Sequence, residues 1–343
     1  MKKISVLTVM LTLLLTGSAI LPGAATASAS RTKTAQSADV LLSMMPDADG
    51  IVAVNVTQLN QQIQNILGSK PETAAELQKQ FDKILAETGL DVRSINSLVL
   101  GVSLGSDRKS PDPLILISGI FDQEQVLAKL GRKSGRKWKA KNYNGQKVYT
   151  EVSKNKKRPA KPEKASSVTF FDTQTIAFGS LASVRKSIDV RTGVQTAVLQ
   201  NPTLMSAFNQ ANIAGSIRFA FTVPEELRRR LAEANGGGAI LKPLAAITQV
   251  VGTADLADSG LLANVSLITG SDSEASEVVN LINTGLALVR LALANNPNSA
   301  ALLNILNGIT HSQSGNVANL TVNVPADLIR SLFDQIKSKA PKA

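Results

Sequence analysis

Three stretches of the chain share one hydrophobic pattern, in which alternating apolar residues run through a turn-like residue into a helical period. These stretches are VAVNVTQLNQQI from Val52, FAFTVPEELRRRL from Phe219 and LTVNVPADLIRSL from Leu320. Strict alternation indicates a strand, and apolar positions three or four residues apart indicate a helix. Pro224 and Pro325 fit a first helical turn, where the missing N–H has no partner to lose. Each stretch therefore predicts a strand followed directly by a helix.

A second repeat joins INSLVLGVSL, from Ile95, to ITQVVGTADL, from Ile247. Four apolar positions coincide: Ile95, Leu98, Val99 and Leu104 align with Ile247, Val250, Val251 and Leu256. Both segments are followed by a turn, a second apolar strand at 113–120 or 260–269, and an acidic helix start. This shared order predicts an internal duplication, with one unit over residues 39–195 and the other over 196–338.

The order of the elements also predicts the fold class. Strands come in adjacent pairs and are separated by helices, which favours an α+β fold with mostly antiparallel sheets and packed helices. In the first unit a helix over 72–88 carries an apolar face and stops at Gly89, a residue typical of helix C-termini. The apolar face consists of Leu77, Phe81, Ile84 and Leu85.

The helix predicted at 274–294 is apolar on almost every side. A helix of that kind belongs in an interior or an interface. We therefore expect its apolar stripe to be nearly inaccessible to water, because soluble monomers avoid large exposed patches. The stripe consists of Leu281, Ile282, Leu286 and Val289.

The positive charge of the chain is confined to one segment. The whole chain has a net charge of +11. Residues 131–164, GRKSGRKWKAKNYNGQKVYTEVSKNKKRPAKPEK, hold thirteen Lys and Arg residues against two Glu residues, and so account for +11 by themselves. Apart from Lys2 and Lys3, the rest of the chain sums to −2. A globally basic surface is therefore not indicated.

The middle of this segment predicts a β-hairpin, because Asn144-Gly145 is the strongest short signal for a type I′ turn. Side chains alternate along the two strands, so one face is expected to pack on the protein and the other to be basic and wet. The packed face is Trp138, Ala140, Lys147 and Tyr149; the wet face is Lys139, Lys141, Tyr143 and Val148. The following SKNKKRPAKPEKASS has two prolines and no apolar period, which predicts an extended or disordered loop over about 153–166.

The basic hairpin and loop, residues 131–166, suggest contact with polyanions. Exported proteins meet anionic lipid, acidic polysaccharide and phosphate-bearing cell-wall polymers, but meet nucleic acid rarely, so we predict no specific nucleic-acid partner. The alternative is a solubilising loop between two strands. The candidate binding residues are Arg132, Lys133, Arg136, Lys137, Lys139, Lys141, Lys154, Lys156, Lys157 and Arg158.

The N-terminus MKKISVLTVMLTLLLTGSAILPGAATASAS predicts a secretory signal peptide over 1–29. Two lysines precede an apolar run, and small-residue A-x-A patterns end at Ala27 and Ala29. A linker over 30–38 and a basic tail over 339–343 would flank the two units. We expect export to the periplasm or the extracellular space. The most apolar later stretch, 285–294, is short and contains Arg290, so an integral membrane protein is not predicted.

Motifs for catalysis or metal binding are weak. The chain has no cysteine, which excludes disulfides and thiolate nucleophiles, and its one histidine makes a transition-metal site improbable. His311 lacks a nearby carboxylate and is expected in a loop. Residues 183–186, SVRK, match the S-x-x-K motif of penicillin-recognising enzymes, but the other two boxes follow in the wrong order. We predict no metal or cofactor and assign no catalytic residue.

The signal peptide, the opening MMPDADGIVAVNVTQL, the GLDVRSINSLVLGVS passage and the repeated α+β pattern together resemble uncharacterised secreted bacterial proteins. The resemblance covers most of the mature chain. It implies an exported compartment and a duplicated α+β unit, and it carries no activity or site residue.

Three functions are compatible with these patterns. The first is an exported, non-catalytic protein that binds envelope or extracellular polyanions through the basic hairpin and loop. The second is an envelope hydrolase or transferase with a site between the two halves. The third is a carrier of an apolar ligand, which requires a groove beside the helix at 274–294. No pattern indicates an oligomeric state.

Overall fold

A computed structural model describes residues 38–67, 71–104, 111–134, 137–152, 162–212, 215–234, 236–294, 300–329 and 331. The fold is α+β, as predicted, with antiparallel sheet and packed helices. The described chain forms two compact units. The first unit contains residues between 38 and 61 and between 71 and 209, and the second contains residues 62–67 and those from 210 onward.

The first unit contains the described strands β1 to β7 and the described helices α1 to α5. The strands are β1 Gly50–Asn55, β2 Ile95–Ser103, β3 Asp112–Gly119, β4 Lys137–Tyr143, β5 Gln146–Val152, β6 Ser166–Phe170 and β7 Thr175–Ser180. The helices are α1 Val56–Leu67, α2 Pro71–Thr88, α3 Gln123–Ser134, α4 Leu181–Arg191 and α5 Pro202–Gln210. The last residues of α1 and of α5 are counted with the second unit. Single 3-10 turns occur at Val92–Ser94, Pro162–Lys164 and Val198–Gln200.

The second unit contains the described strands β8 to β12. They are β8 Ile217–Thr222, β9 Gln249–Ala257, β10 Gly260–Ile268, β11 Ile309–Ser314 and β12 Val317–Pro325. Its described helices are α6 Glu225–Ala232, α7 Asp272–Ala294 and α8 Ala300–Asn307, together with a 3-10 segment over Gly236–Ala246.

The two units have the same strand order. In the first unit the antiparallel order is β1-β2-β3-β7-β6-β5-β4, and in the second it is β8-β9-β10-β12-β11. The first five strands of the one order therefore correspond to the five strands of the other. The hairpin β4–β5 has no counterpart among the described strands of the second unit. This repeated topology is the arrangement that an internal duplication produces.

The pairing register repeats as well. Ala53 lies opposite Val99 in the first unit, and Ala220 lies opposite Val251 in the second. The sequence alignments match Ala53 to Ala220 and Val99 to Val251, which are the members of these two pairs. Residues aligned by hydrophobic pattern thus occupy equivalent positions in the two sheets, which follows because a shift of one residue would turn every side chain to the opposite face.

Residues 196–209 pack with the first unit, whereas the sequence pattern placed them in the second. The backbone N–H of Val198 donates to the Met45 carbonyl at 2.7 Å. On α5, Leu204 and Phe208 are almost completely buried. This boundary is set by contacts with residues more than 150 positions earlier in the chain, which the local pattern does not contain.

The helix predicted over 72–88 is confirmed as α2, Pro71–Thr88. Phe81 is buried on its apolar face. Gly89 ends the helix with φ at +76°, and its N–H donates to the Leu85 carbonyl at 2.9 Å. A left-handed residue at this position satisfies a free carbonyl at the helix end, and glycine adopts it without strain.

The expectation that the stripe of α7 is buried is wrong. Val289 is 46% exposed, and Leu281, Ile282 and Leu286 are only partly buried. The sheet covers only one side of α7, and the sheet contacts chiefly the N-terminal half of this helix. Apolar side chains on the other side of α7 therefore face outward.

Candidate functional site

The predicted basic hairpin is present with the predicted turn and register. Asn144 and Gly145 have φ values of +45° and +77°, as a type I′ turn requires. Tyr143 lies opposite Gln146 at the first pair beyond the turn. The strand β4 forms one edge of the sheet, and β5 pairs on its other side with β6.

A buried carboxylate fixes the turn of the hairpin to helix α4. Asp189 is 7% exposed. Its Oδ2 accepts a hydrogen bond from the Tyr143 hydroxyl at 2.9 Å, and its Oδ1 accepts one from the Asn144 side-chain amide at 2.7 Å. Helix α4 is itself fixed at its start, where the Ser180 hydroxyl accepts from the Ser183 N–H. Both carboxylate oxygens are thus used to hold the hairpin in one orientation.

The buried carboxylate of Asp189, the hairpin anchor, also perturbs the pKa of the Tyr143 phenol. Its hydrogen bond to the Asp189 carboxylate raises the pKa of Tyr143, because the bond favours the protonated phenol, and burial acts in the same direction. The guanidinium of Arg185 stacks over the Tyr143 ring at 5.0 Å from the ring centroid. Arg185 also forms an ion pair with Glu163 at 3.0 Å. The guanidinium that stacks on Tyr143 is therefore already paired.

The predicted assignment of the two hairpin faces is wrong. Val148, expected on the wet face, is 2% exposed, whereas Ala140, expected on the packed face, is exposed. Val148 shares its face with Tyr143, which contacts α4 through Asp189. On the opposite face Tyr149 packs edge-on against Phe170. The strand β5 contacts α4 and packs through Tyr149 on Phe170, which leaves Lys147 exposed, whereas the edge strand β4 is largely open.

Three lysines of the hairpin are exposed. Lys139 and Lys141 project from one face of β4, and Lys147 projects from the other face on β5. Among the described residues, no carboxylate forms an ion pair with any of the three. The predicted residues Lys139 and Lys141 are thus brought together on one strand. Lys147 was absent from the predicted set, because the predicted alternation placed it on the face expected to pack, and the structure exposes it.

The other predicted binding residues are described less fully. Arg132 and Lys133 lie in α3, and Lys137 begins β4. Arg136, Lys154, Lys156, Lys157 and Arg158 lie outside the described residues, as does most of the predicted loop. The end of that loop is described: it contains a 3-10 turn at Pro162–Lys164 and leads into β6.

Sequence patterns did not point to Asp189. It lies 46 positions after Tyr143, inside a helix, and belongs to no motif. The available signal was indirect: a hairpin tyrosine and a turn asparagine each need a partner for a polar group. That signal does not say which of the chain's carboxylates would supply it.

The weak catalytic motifs do not form a catalytic arrangement in the described chain. The Ser183 hydroxyl is buried and lies 2.8 Å from the Ser180 hydroxyl, so it is engaged at the start of α4. The hollow beside it has a volume of about 10 Å³, which suits one water molecule. His311 lies on β11 rather than in a loop, and its Nε2 is 2.5 Å from the Asn283 side-chain oxygen. Among the described residues, no three potential metal ligands cluster.

One described helix, α7, is long and apolar enough to cross a bilayer by length and composition. Its N-terminal half is attached to the sheet. Ala275 and Val278 are fully buried, and the Gln313 side chain on β11 donates to the Asp272 carbonyl at 2.7 Å. A single helix held in this way does not make the chain an integral membrane protein.

Comparison with known proteins assigns neither a family nor a function to the chain. No family model matches the chain, and no curated protein matches it. Crystal form I of TP0453 has a TM-score of 0.39 at 12% identity and covers 86% of this chain and 96% of that chain. Crystal form IV has a TM-score of 0.42 at 11% identity, with 85% and 95% covered. Similarities at this level assign no function.

Proposed function

We propose that this is an exported, non-catalytic protein that binds polyanions through the basic hairpin. The observation that carries the proposal is the set of three exposed lysines, Lys139, Lys141 and Lys147, on a hairpin that a buried carboxylate holds in place. The shared ligand chemistry is phosphate or carboxylate, as in anionic lipid, acidic polysaccharide or cell-wall polymer. Export rests on the N-terminal pattern of residues 1–29 and on the resemblance to secreted bacterial proteins.

Three features support binding by this hairpin rather than mere solubility. It is an addition to a strand order that the second unit completes without it. Its turn is fixed, so less conformational entropy is lost when a ligand orders the lysines. The segment that contains the hairpin, residues 131–164, carries a net charge of +11. Several cations close together attract a polyanion more strongly than the same number of dispersed cations.

The test compares retention on heparin and on anionic vesicles. Replacing Lys139, Lys141 and Lys147 by Gln is expected to lower the salt concentration needed for elution, because each lost contact reduces the electrostatic attraction. Folding should be unchanged, since the three side chains are exposed. A second variant replaces Lys154, Lys156, Lys157 and Arg158 by Gln and tests the loop part of the segment.

The matched control replaces three other exposed lysines of the first unit, Lys79, Lys83 and Lys186, by Gln. It removes the same charge from positions outside the basic segment. If the hairpin variant and the control elute at the same salt concentration, net charge alone governs retention and the hairpin has no binding role. Comparing retention on heparin with retention on anionic vesicles then distinguishes a polysaccharide ligand from a lipid ligand.

A further inference from the structure

Most of the exposed apolar surface in the described chain belongs to the second unit. Eleven large hydrophobic side chains are exposed among the described residues, and seven of them lie between residues 227 and 302. The seven are Leu227, Ile240, Leu241, Leu288, Val289, Leu291 and Leu302. The other four, Val40, Ile120, Val194 and Leu199, occur at separate places in the first unit.

The seven side chains lie on four helical segments that contact one another in sequence. Helix α6 packs on the 3-10 segment Gly236–Ala246, that segment packs on α7, and α7 packs on α8. Leu244 and Ile247 join the 3-10 segment and the residue that follows it to Val278 and Ile282 of α7 in one apolar cluster. We call these four segments the apolar helical layer. Its exposed side chains therefore belong to one connected group of helical segments.

Helix α7 has apolar surface on both of its sides. Its N-terminal half packs through Val278 on a cross-strand row of the sheet, formed by Val250, Leu267 and Ala318. Its C-terminal half exposes other side chains, with Leu291 the most open at 68%. A helix that is apolar all round is expected to have an apolar environment on both sides, and the sheet supplies only one of them.

Beyond Val278 the surface of α7 and α8 is not interrupted by a free charge; the acidic residues of α7, Asp272, Glu274 and Glu277, precede this part. Arg290 is the only charged residue between positions 278 and 308. Its guanidinium donates to the Leu306 carbonyl at 2.7 Å, near the C-terminal end of α8. A cation at that end is favoured by the helix dipole. The charge is therefore used within the layer.

The composition of the layer fits hydrocarbon better than a protein partner. Cores of protein interfaces are enriched in aromatic residues and Met, and their energetic centres are most often Trp, Tyr or Arg. Residues 225–307 contain no Phe, Trp, Tyr or Met, so the large apolar side chains that the layer exposes are all aliphatic. Leu, Ile and Val transfer favourably into a bilayer. Within the layer Lys242 is exposed and can meet a lipid headgroup, whereas the exposed Arg229 and Arg230 both pair with Glu226.

A carrier with an apolar tunnel is less well supported. The cleft beside α8 has a volume of about 700 Å³. Its lining includes the side chains of Asn304, Asn307, Asn323, Thr310 and Asp327. Leu328 is the one large apolar side chain among the residues that line this cleft, whereas the exposed leucines of the layer stand on an open surface.

We propose that the apolar helical layer of the second unit docks on the surface of a lipid bilayer. The leucines of α7 and α8 enter the outer hydrocarbon region, and the helices lie along the interface instead of crossing it. The occupant is a lipid surface, including an uncharged one. This inference goes beyond the polyanion binding proposed above, because it uses the other unit and does not depend on anionic ligands.

The test is flotation with phosphatidylcholine vesicles at high salt, which suppresses binding by the hairpin. A triple variant, L288Q, L291Q and L302Q, changes three of the exposed leucines and is expected to lower the partition coefficient by at least about tenfold, equivalent to about 1.4 kcal/mol. The control variant, I120Q, V194Q and L199Q, removes the same number of exposed apolar side chains from the first unit. It should float as the parent does.

Four outcomes decide the inference. Failure of the parent to float, or equal flotation of the triple variant and the parent, overturns it. If light scattering shows that the parent self-associates without lipid, and the parent fails to float, the layer binds a second copy of the chain instead. That outcome also overturns the inference. If circular dichroism shows that the triple variant is misfolded, L291Q alone is tested, with reduced flotation supporting the inference and unchanged flotation overturning it. The hairpin lysine variant should float on these vesicles as the parent does, so failure of one proposal can be distinguished from failure of the other.

Discussion

The two units share one strand order, and the connection from the third strand to the last strand pair distinguishes them, because among the described residues it adds strands in the first unit only. In the first unit this connection contains the helix α3, of 12 residues, and then the basic hairpin β4–β5. In the second unit it contains α7, of 23 residues, and then α8. The common sheet is therefore a scaffold, and the basic hairpin and the α7–α8 part of the apolar helical layer occupy the same connection on it.

The difference shows how one scaffold can present two kinds of chemistry. The first unit adds strands to the edge of its sheet, and an edge strand can carry lysines that stay in water. The second unit adds helical surface over the sheet face, where side chains not covered by the sheet stand outward. Charge and apolar surface are thus separated between the units.

The largest expected effect tests whether equivalent sheet positions of the two units contribute equally to the free energy of unfolding. Ile117 and Leu267 occupy matching positions, opposite Leu98 and Val250. Ile117 is fully buried, so Ile117→Ala should lower the free energy of unfolding by about 2–5 kcal/mol. Leu267 is only partly buried, and Leu267→Ala should cost about half as much. Urea unfolding followed by circular dichroism measures both; equal losses would mean that the apolar layer shields Leu267 as fully as the first unit shields Ile117.

A smaller effect is expected at the hairpin anchor, which the second unit lacks. Asp189→Asn keeps the size of the side chain but removes one of the two acceptor oxygens, and should cost about 1–3 kcal/mol because a buried polar group loses its partner. The control is Asp258→Asn, at the exposed β9–β10 turn of the second unit, where a change within about 0.5 kcal/mol is expected. Thermal unfolding compares the two. A neutral Asp189→Asn would show that the hairpin holds its position without this carboxylate.

The smallest effect is a pH dependence confined to the first unit. The folded-state pKa of Tyr143 is raised above its ordinary value of about 10. Its bond to Asp189 therefore stabilises the fold fully below about pH 10 and is lost as pH rises through the raised pKa. Tyr143→Phe removes the bond at every pH, so the parent and the variant should differ in melting temperature at neutral pH and converge in alkali. A constant difference across that range would exclude this linkage.

Local patterns predicted the repeated scaffold well, because register and alternation are encoded in neighbouring residues. The equivalence of Ala53 with Ala220 and of Val99 with Val251 follows from those patterns, but the pairing of Ala53 with Val99 and of Ala220 with Val251 does not. The packed face of the hairpin was predicted wrongly, since the burial of Val148 depends on its pairing with Thr169 in β6 and on contact with α4. Nor does an apolar period distinguish a helix covered by protein from one that faces outward, which explains the error for α7.

The position of β4 at the edge of its sheet has a consequence for aggregation. An edge strand leaves one row of backbone N–H and C=O groups free, and another chain can add to it. Lysines along such an edge repel a like-charged incoming strand, so Lys139 and Lys141 protect the protein from growing into a ribbon. A polyanion that neutralises them removes this protection while it gathers several molecules along one polymer. We therefore expect long acidic polymers, more than short ones at equal charge concentration, to promote edge-to-edge assembly of this protein.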